Sequence, residues 1–439
     1  MLSQRIIMIT IALALATCAA QAQSPRAAED HQKRGLALGK QGDLDHAIAE
    51  FDKAIELNPR LADAWCNRGL AYHLKGDIER ATAELDRAIK LDPRHSMAHY
   101  NRAVIFQSRG EIDRAMADFN RAIELNNRFA EAYTNRGKIR YDTGDVDGAL
   151  ADYDKAIKYG ADPSAGHTSG SYLVSATNTS LAIAYNNRGI LYRDKGDIKR
   201  ALADFNRAIE ADPRLAMAYS NRSGVRFKVG DARGAMADAD RALTLDPQFG
   251  EAWNNRGAIH RLAGNTDEAL SDFNRAIELD PRFVEARLNR GGVLHNKGRF
   301  EEAIADFDQA ILHAPRDMRA WFNRGNSRQS KGDYAGAISD YTRAIELDPR
   351  QTTTYVNRGN ARRANGDLAG AMNDYNQALS FDPHCALALL NRGIGYLQQG
   401  REEEARRDFD QGLKIDPTLR PEIEAVVGEI RRRLKKNPR

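Results

Sequence analysis

The sequence predicts an all-α protein built as an α-solenoid, in which antiparallel helix pairs stack one behind another. The 34-residue stretch from Ala62 to His95 recurs along most of the chain, first as Ser96–Phe129. Each copy carries two apolar patterns of helical period with a Gly-rich break between them. A fixed period of this length indicates stacked repeats, because one helix pair covers its apolar face only by packing on the next pair.

One copy shows how the two helices are expected to pack. Trp65, Gly69 and Tyr72 are spaced by four and three residues, so they share one face of a first helix. Ala81 and Leu85 lie four residues apart on a second helix. A proline near the end of the copy stops that helix. We expect the small residues Gly69 and Ala81 to let the two helices approach closely.

These residues resemble the tetratricopeptide repeat, whose pattern is W-x2-L-G-x2-Y, then A-x3-F, A and P. The ninth copy shows the pattern again as Trp321, Gly325, Ala337, Tyr341, Ala344 and Pro349. The repeats begin at Ala28, Ala62, Ser96, Ala130, Ala182, Ala216, Gly250, Val284, Met318, Thr352 and Ala386. Repeats one to four then span 28–161, and repeats five to eleven span 182–417. The resemblance implies a right-handed superhelix of eleven antiparallel helix pairs that binds peptides or proteins.

The first residues predict export. Arg5 precedes an uncharged apolar run that is too short to span a bilayer, and a small-x-small triplet ends at Ala22. We therefore expect residues 1–22 to be a signal peptide, which would place the protein in the periplasm of a Gram-negative bacterium. Two alternatives stay open: a membrane anchor left uncleaved, or lipidation at Cys18, although Thr17 departs from the small residue usual before a lipidated cysteine.

Between repeats four and five, residues 162–181 form an insertion rich in Gly, Ser and Thr. It is either a hinge between two blocks of repeats or a flap on the groove with Tyr172 as anchor. The sequence does not decide between these two interpretations.

After Pro417 the repeat stops, and residues 418–439 predict a capping helix followed by a basic tail. The stretch from Pro421 to Leu434 is amphipathic. We expect its apolar residues to cover the last repeat, because a terminal repeat needs a polar lid. These residues are Ile423, Val426, Val427 and Ile430. The tail offers the sole expected contact with a membrane.

Place six of the repeats, counted from the first residue of each, carries asparagine in every repeat but the first, which has Lys33. The row is Asn67, Asn101, Asn135, Asn187, Asn221, Asn255, Asn289, Asn323, Asn357 and Asn391. At 100° per residue, place six points roughly opposite the packing face, toward the inner wall of the solenoid. Carboxamides there provide donors and acceptors for the main chain of an extended peptide.

This row resembles the asparagine ladder in the repeat region of O-linked N-acetylglucosamine transferases, which holds substrate peptides by their backbone. The resemblance covers the repeats only, so no transferase activity is expected. A ligand-free alternative stays open, because asparagine is common at this place in such repeats. Other inner-wall places, including places five and twelve, vary from repeat to repeat, as expected of a surface that recognises a ligand. Arg193, Lys228 and Arg261 are expected to make the middle of the groove mildly basic.

A second row occupies place seven, which is arginine in all eleven repeats, while place 23 is acidic in all of them. The two places lie on one edge of their antiparallel helices. We expect a ladder of partly buried Arg–carboxylate pairs between these paired helices or between adjacent repeats. Arg256 with Asp272 is one such pair.

Composition and motifs argue against catalysis. The formal net charge is +4, from 65 basic and 61 acidic residues, which gives no general attraction to nucleic acid. The ten histidines have no fixed spacing to nucleophiles or paired carboxylates. We expect no enzyme activity, cofactor, metal site or small-molecule substrate, and no disulfide between Cys66 and Cys385.

The prediction is an exported scaffold that binds a protein or an extended peptide in its groove. The alternatives are a cell-envelope adaptor acting through its convex face or tail, and a non-catalytic subunit of an enzyme complex.

Overall fold

The computed structural model describes residues 26–161 and 177–436, and within these ranges every regular element is a helix. The chain forms two compact units, residues 1–231 and 232–439. We call them the N-terminal and the C-terminal unit. The predicted all-α class and the tandem arrangement of antiparallel helix pairs are confirmed. The predicted signal peptide 1–22 and residues 162–176 of the predicted insertion 162–181, with Tyr172, lie outside the described residues.

In the N-terminal unit, first and second helices alternate along the chain. The first helices are α1 (26–40), α3 (Ala62–Leu74), α5 (Ser96–Ser108), α7 (Ala130–Asp142), α9 (Thr177–Asp194) and α11 (Ala216–Lys228). The second helices are α2 (Leu44–Leu57), α4 (Ile78–Leu91), α6 (Ile112–Leu125), α8 (Val146–Gly160) and α10 (Ile198–Ala211).

The C-terminal unit continues the same alternation. Its second helices are α12 (Ala232–Leu245), α14 (Thr266–Leu279), α16 (Phe300–His313), α18 (Tyr334–Leu347), α20 (Leu368–Phe381) and α22 (Glu402–Ile415). Its first helices are α13 (Gly250–Leu262), α15 (Val284–Asn296), α17 (Met318–Lys331), α19 (Thr352–Ala364) and α21 (Ala386–Gln398). A single 3₁₀ turn, Pro417–Leu419, leads into α23 (Arg420–Lys436).

The first helices begin at the predicted repeat starts, with differences at α1 and α9. Helix α1 is described from residue 26, two residues before Ala28. Helix α9 begins at Thr177 rather than Ala182, so the last residues of the predicted insertion extend a helix instead of a loop. The difference arises because the repeat pattern marks the residues that pack between helices. It does not indicate how many helical residues precede the first of them.

Close packing within a pair depends on glycine at place eight. A Cβ built on Gly257 would lie 2.7 Å from Cε1 of Phe273, and one on Gly69 would lie 3.1 Å from Cγ of Leu85. Both distances are tighter than ordinary van der Waals contact. The turn between the helices needs glycine for a different reason, since Gly76 has a φ of 82°. Glycine at place eight therefore lets a side chain of the second helix lie directly against the backbone of the first helix.

Helix α23 covers the end of the C-terminal unit as predicted. Ile423 is buried against Leu390 and Ile394 of α21, and Val426, Val427 and Ile430 pack around the same cluster. None of the helices in residues 26–161 and 177–436 combines the length and apolar character needed to cross a bilayer.

Candidate peptide-binding surface

The arginines at place seven form the predicted ladder. Arg256 donates from Nε and Nη2 to the two carboxylate oxygens of Asp272, both at 2.8 Å. Its guanidinium carbon also lies 4.7 Å from the ring centroid of Trp253. The same two-bond pairing joins Arg102–Asp118, Arg136–Asp152, Arg188–Asp204, Arg290–Asp306, Arg324–Asp340, Arg358–Asp374 and Arg392–Asp408. These aspartates are buried, so the pairs are structural.

Each of these arginines also has a second partner that the sequence analysis missed. Nη1 of Arg256 donates to Oδ1 of Asp240 at 3.0 Å, on the second helix of the preceding repeat. The equivalent acceptors at place 25 are Asp52, Asp86, Asn120, Asp154, Asn206, Asn274, Asp308, Thr342 and Asn376. An oxygen acceptor at this place was visible in every copy. The arginine therefore ties a repeat to the one before it.

In four repeats the Nδ2 of the asparagine at place six donates to the residue at place five of the preceding repeat. The pairing does not extend to Asn67, which follows Gln32 and whose Nδ2 has no partner among the described residues. The four pairs are Asn101 to Cys66 Sγ at 3.6 Å, Asn135 to Tyr100 Oη at 3.1 Å, Asn221 to Asn186 Oδ1 at 3.0 Å, and Asn289 to Asn254 Oδ1 at 2.9 Å. In these repeats the amide nitrogen joins neighbouring first helices, and the oxygen keeps its acceptor capacity.

Asn323 departs from this pairing because the preceding place five is Leu288, an apolar residue with 6% exposure. Within residues 26–161 and 177–436, no hydrogen bond of the Asn323 carboxamide is found. Two other asparagines after an apolar place five donate elsewhere: Asn357 to Asn326 Oδ1 at 3.0 Å, and Asn391 to the Leu387 carbonyl at 2.8 Å. Asn323 thus keeps both donors and acceptor for a ligand.

The expectation that the whole row faces an open groove is wrong for Asn67 and Asn101, which are 1% and 5% exposed. The packing of adjacent first helices encloses their side chains, and Nδ2 of Asn67 has no hydrogen-bond partner among the residues that the structure describes. Place five is likewise not the variable recognition surface that we expected, since Asn186, Asn254 and Leu390 are buried. The other eight asparagines are half-buried: Asn135, Asn187, Asn221, Asn255, Asn289, Asn323, Asn357 and Asn391.

In the C-terminal unit, three first helices line a cleft of about 380 Å³. Arg261 of α13, Asn289 of α15 and Asn323 of α17 are three predicted site residues that this cleft brings together. The buried part of the lining is apolar and includes Leu288 and Phe307. The volume is at the lower end of the range of about 300–1,000 Å³ for ligand sites. We call this feature the α13–α15–α17 cleft.

The charge of the cleft depends on Arg261. This residue is exposed and forms no ion pair within the described part of the chain. Arg319, by contrast, is bound by Asp317 at 2.7 Å and Glu285 at 2.9 Å, and these hydrogen bonds raise its pKa. Burial lowers the pKa of His295, so its ring is neutral at pH 7. The unbalanced charge of the cleft is therefore positive.

Arg193 and Lys228 belong to the N-terminal unit. Arg193 Nε donates to Oδ1 of Asp194 at 2.8 Å, and Lys228 contributes to the lowered pKa of that carboxyl. Desolvation opposes this lowering, but the hydrogen bonds from Arg193 and Tyr141 and the nearby positive charges outweigh it. The expected basic character is thus partly neutralised here. No group of three or more His, Cys, Asp or Glu suited to a metal ion occurs among the described residues.

Family models described as TPR repeat match residues 35–76, 105–144 and 359–400. Models described as Tetratricopeptide repeat match residues 62–95, 130–160, 182–215, 250–283, 288–352 and 386–419. The chain belongs to the tetratricopeptide repeat family. The tetratricopeptide repeats make it a protein–protein interaction scaffold, and proteins of this family generally bind protein or peptide partners and are generally non-catalytic.

Solved structures similar to this tetratricopeptide repeat chain include three that cover it to different extents. The structure described as APC/C hetero-tetramer Cut9-Hcn1 has a TM-score of 0.47 at 15% identity, over 94% of this chain and 96% of that one. Yeast Tom70 has a TM-score of 0.41 at 19% identity, over 94% and 98%. YrrB, described as a TPR protein with an unusual peptide-binding site, has a TM-score of 0.37 at 24% identity, over 42% and 95%. No curated protein matches the chain.

Proposed function

We propose that this scaffold is exported and binds an extended segment of a peptide or protein along its first helices, with the α13–α15–α17 cleft as the central site. The observation that carries the proposal is the carboxamide of Asn323, unbonded within the described part of the chain, beside the acceptor oxygen of Asn289 in one cleft. An extended main chain presents one N–H and one C=O per residue that need partners. Asn323 supplies both donor and acceptor, and Asn289 supplies an acceptor.

Sequence-independent contacts to the main chain suit a scaffold that accepts unfolded segments. Amide–carbonyl hydrogen bonds contribute about 0.5–1.5 kcal/mol each, so two or three of them give modest affinity. Side chains of the ligand must supply the remaining affinity and the specificity. Export is proposed from the pattern of residues 1–22, and an N-terminus at Gln23 in the mature protein is the observation that tests it.

The test uses a display library of short, unstructured random peptides selected on the full chain. We expect selected peptides to bind Asn323→Ala about tenfold more weakly than wild type, which corresponds to 1.4 kcal/mol. The matched control is Asn373→Ala, which removes an exposed asparagine from the second helix α20. Equal binding to wild type and Asn323→Ala, measured by isothermal titration calorimetry, would refute the proposed site.

A further inference from the structure

A second cleft of about 330 Å³ lies in the C-terminal unit, between the second helices α14 and α16. Its lining includes Leu270 of α14, Leu294 of α15 and Arg299, which precedes α16. We call it the α14–α16 cleft. Its lining residues all differ from those of the α13–α15–α17 cleft, so a ligand bound here would be independent of the site proposed above.

The residue at place eleven explains why this cleft is present. Tyrosine or phenylalanine occupies that place in repeats two, three, five and eleven, and arginine occupies it in repeats four, six, nine and ten. Among repeats two to eleven, only repeat eight has an aliphatic residue there, Leu294. Because leucine is shorter than these side chains, it leaves space between the two second helices.

In the repeats with an aromatic residue at place eleven, an arginine covers the ring. The distances from guanidinium carbon to ring centroid are 4.6 Å for Arg80 over Tyr72, 3.8 Å for Arg114 over Phe106, 4.6 Å for Arg200 over Tyr192 and 4.3 Å for Arg401 over Tyr396. A cation is attracted to the electron-rich face of the ring at such distances. The ring and the arginine are thus a recurring pair.

Repeat eleven is the direct comparison for repeat eight, because both have arginine at place 16 and glutamate at place 19. Arg401 donates from Nε and Nη2 to Oε1 of Glu404, at 2.9 and 2.7 Å. Arg299 donates to Glu302 from the same two nitrogens, at 2.6 Å each. The glutamate therefore holds the arginine in both repeats. In repeat eight, however, Arg299 borders a cleft at the place where Arg401 covers Tyr396.

The charge of Arg299 also indicates which side chain the cleft does not favour. Where place eleven is arginine, an aspartate at place 16 can lie close to it. These pairs are Arg140–Asp145 at 3.6 Å, Arg328–Asp333 at 3.8 Å and Arg362–Asp367 at 3.9 Å. In repeat eight place 16 is Arg299 itself, which would repel a second guanidinium. An uncharged ring is the better complement.

From these observations we infer that the α14–α16 cleft binds an aromatic side chain of a partner protein, with the ring between Leu294 and the guanidinium of Arg299. The ring loses contact with water against Leu270 and Leu294, which is favourable in proportion to the apolar area buried. Arg299 adds a cation–π contact on the opposite face. The scaffold then has a second contact surface besides the α13–α15–α17 cleft.

The test is saturation-transfer NMR on the full chain with Gly/Ser-rich peptides that differ in one central residue: tryptophan, tyrosine, phenylalanine, leucine or arginine. The parent protein is Asn323→Ala, which weakens binding in the α13–α15–α17 cleft. Leu294→Tyr fills the α14–α16 cleft with the ring that is native at place eleven of repeats two, five and eleven. Its melting temperature is measured first. The control, Leu312→Tyr, adds a ring at an exposed leucine of α16.

We expect the parent to bind the three aromatic peptides and to bind the leucine and arginine peptides more weakly. Leu294→Tyr should weaken the aromatic peptides more than about tenfold, while Leu312→Tyr leaves them unchanged. Arg299→Gln should weaken them about two- to fivefold, as for an exposed cation–π contact. Adding Tyr396→Leu to Leu294→Tyr should restore binding, because repeat eleven then has the residues of repeat eight at places 11, 16 and 19.

Three results would overturn the inference: equal binding of all five peptides, aromatic binding that Leu294→Tyr leaves intact, and no recovery with Tyr396→Leu. None of them bears on the proposed function, because every protein in this series carries Asn323→Ala. The comparison of wild type with Asn323→Ala tests that function separately.

Discussion

Places six and seven are neighbours on the same helix and are nearly invariant in type, yet the two rows do different things. Every place-seven arginine described above bonds carboxylates or other oxygens at fixed places on two second helices. The place-six asparagines have varied partners: four donate to place five of the preceding repeat, Asn357 and Asn391 donate elsewhere, and the Asn323 carboxamide bonds nothing within residues 26–161 and 177–436. The comparison teaches that repetition of a residue does not distinguish structure from function. What distinguishes a structural residue from a functional one is whether it keeps the same partners in every repeat, and only the three-dimensional structure shows those partners.

The largest loss of stability is expected when the charge of one arginine in the ladder is reversed. Arg256→Glu places a second carboxylate beside Asp272, whose side chain is 5% exposed, and removes both of its hydrogen bonds. Because breaking a buried pair leaves an uncompensated charge, we expect a loss of about 3–5 kcal/mol in the free energy of unfolding. Thermal unfolding followed by circular dichroism measures it.

The matched control is Arg275→Glu, at an exposed i,i+3 pair with Glu278. Its expected cost is about 0–1 kcal/mol. If the two reversals lowered the melting temperature equally, the ladder would not be the structural row that we describe.

A smaller effect separates two members of the asparagine row. Asn289→Ala leaves Oδ1 of buried Asn254 without its donor, so we expect a loss of about 1–3 kcal/mol. Asn323→Ala removes no hydrogen bond seen in the described ranges, so its effect should lie within about 0.5 kcal/mol. Denaturant unfolding of both variants measures the difference.

The variant Asn254→Leu checks the reason for that difference. It gives Asn289 the apolar neighbour that Asn323 has in Leu288. In this background, Asn289→Ala should be nearly neutral, because the bond that it breaks is already absent. A full cost retained in the double variant would show that the bond from Asn289 to Asn254 is not the source of the destabilisation.

The smallest expected effect concerns pH. Hydrogen bonds from Lys53 and Arg34 and the contact with His31 lower the pKa of Glu50 from its ordinary 4.5 to about 2. A depressed folded-state pKa means that ionised Glu50 stabilises the fold fully above about pH 4.5, and that this contribution is lost as the pH falls toward 2. Glu50→Gln should therefore melt below wild type at pH 7 and converge with it near pH 2.

The asparagine row provides the control for this titration, since carboxamides carry no charge. The destabilisation by Asn289→Ala should stay the same across the pH range in which the Glu50→Gln difference closes. A Glu50→Gln difference that persisted undiminished at pH 2 would show that Glu50 acts through its shape or packing and not through its charge.

Several features could be predicted from the sequence because they depend on chemistry local to one repeat. Helix starts followed from the 34-residue pattern, and the Arg256–Asp272 ladder followed from helical geometry applied to two places. The capping role of Ile423 followed from the need to cover a terminal apolar face. The start of α9 at Thr177 did not follow, because the repeat pattern marks packing positions and not the first helical residue.

Other features depended on contacts between repeats, and reasoning about single helices missed them. Place five was expected to face a ligand, but Asn254 is buried because adjacent first helices meet there. The burial of Asn67 and Asn101 has the same cause. Place 25 was overlooked because only places seven and 23 were paired, whereas Arg256 also binds Asp240 on the second helix of the preceding repeat.

The sequence by itself determined that this chain is a tandem array of tetratricopeptide repeats, because period, apolar spacing and turn residues are properties of each copy. The tertiary structure decided that the Asn323 carboxamide has no hydrogen bond within residues 26–161 and 177–436, and that it lies with Asn289 and Arg261 along one cleft. Those properties belong to no single copy, because side chains from three repeats line the cleft. Only the packed neighbours fix which polar groups are left for a ligand.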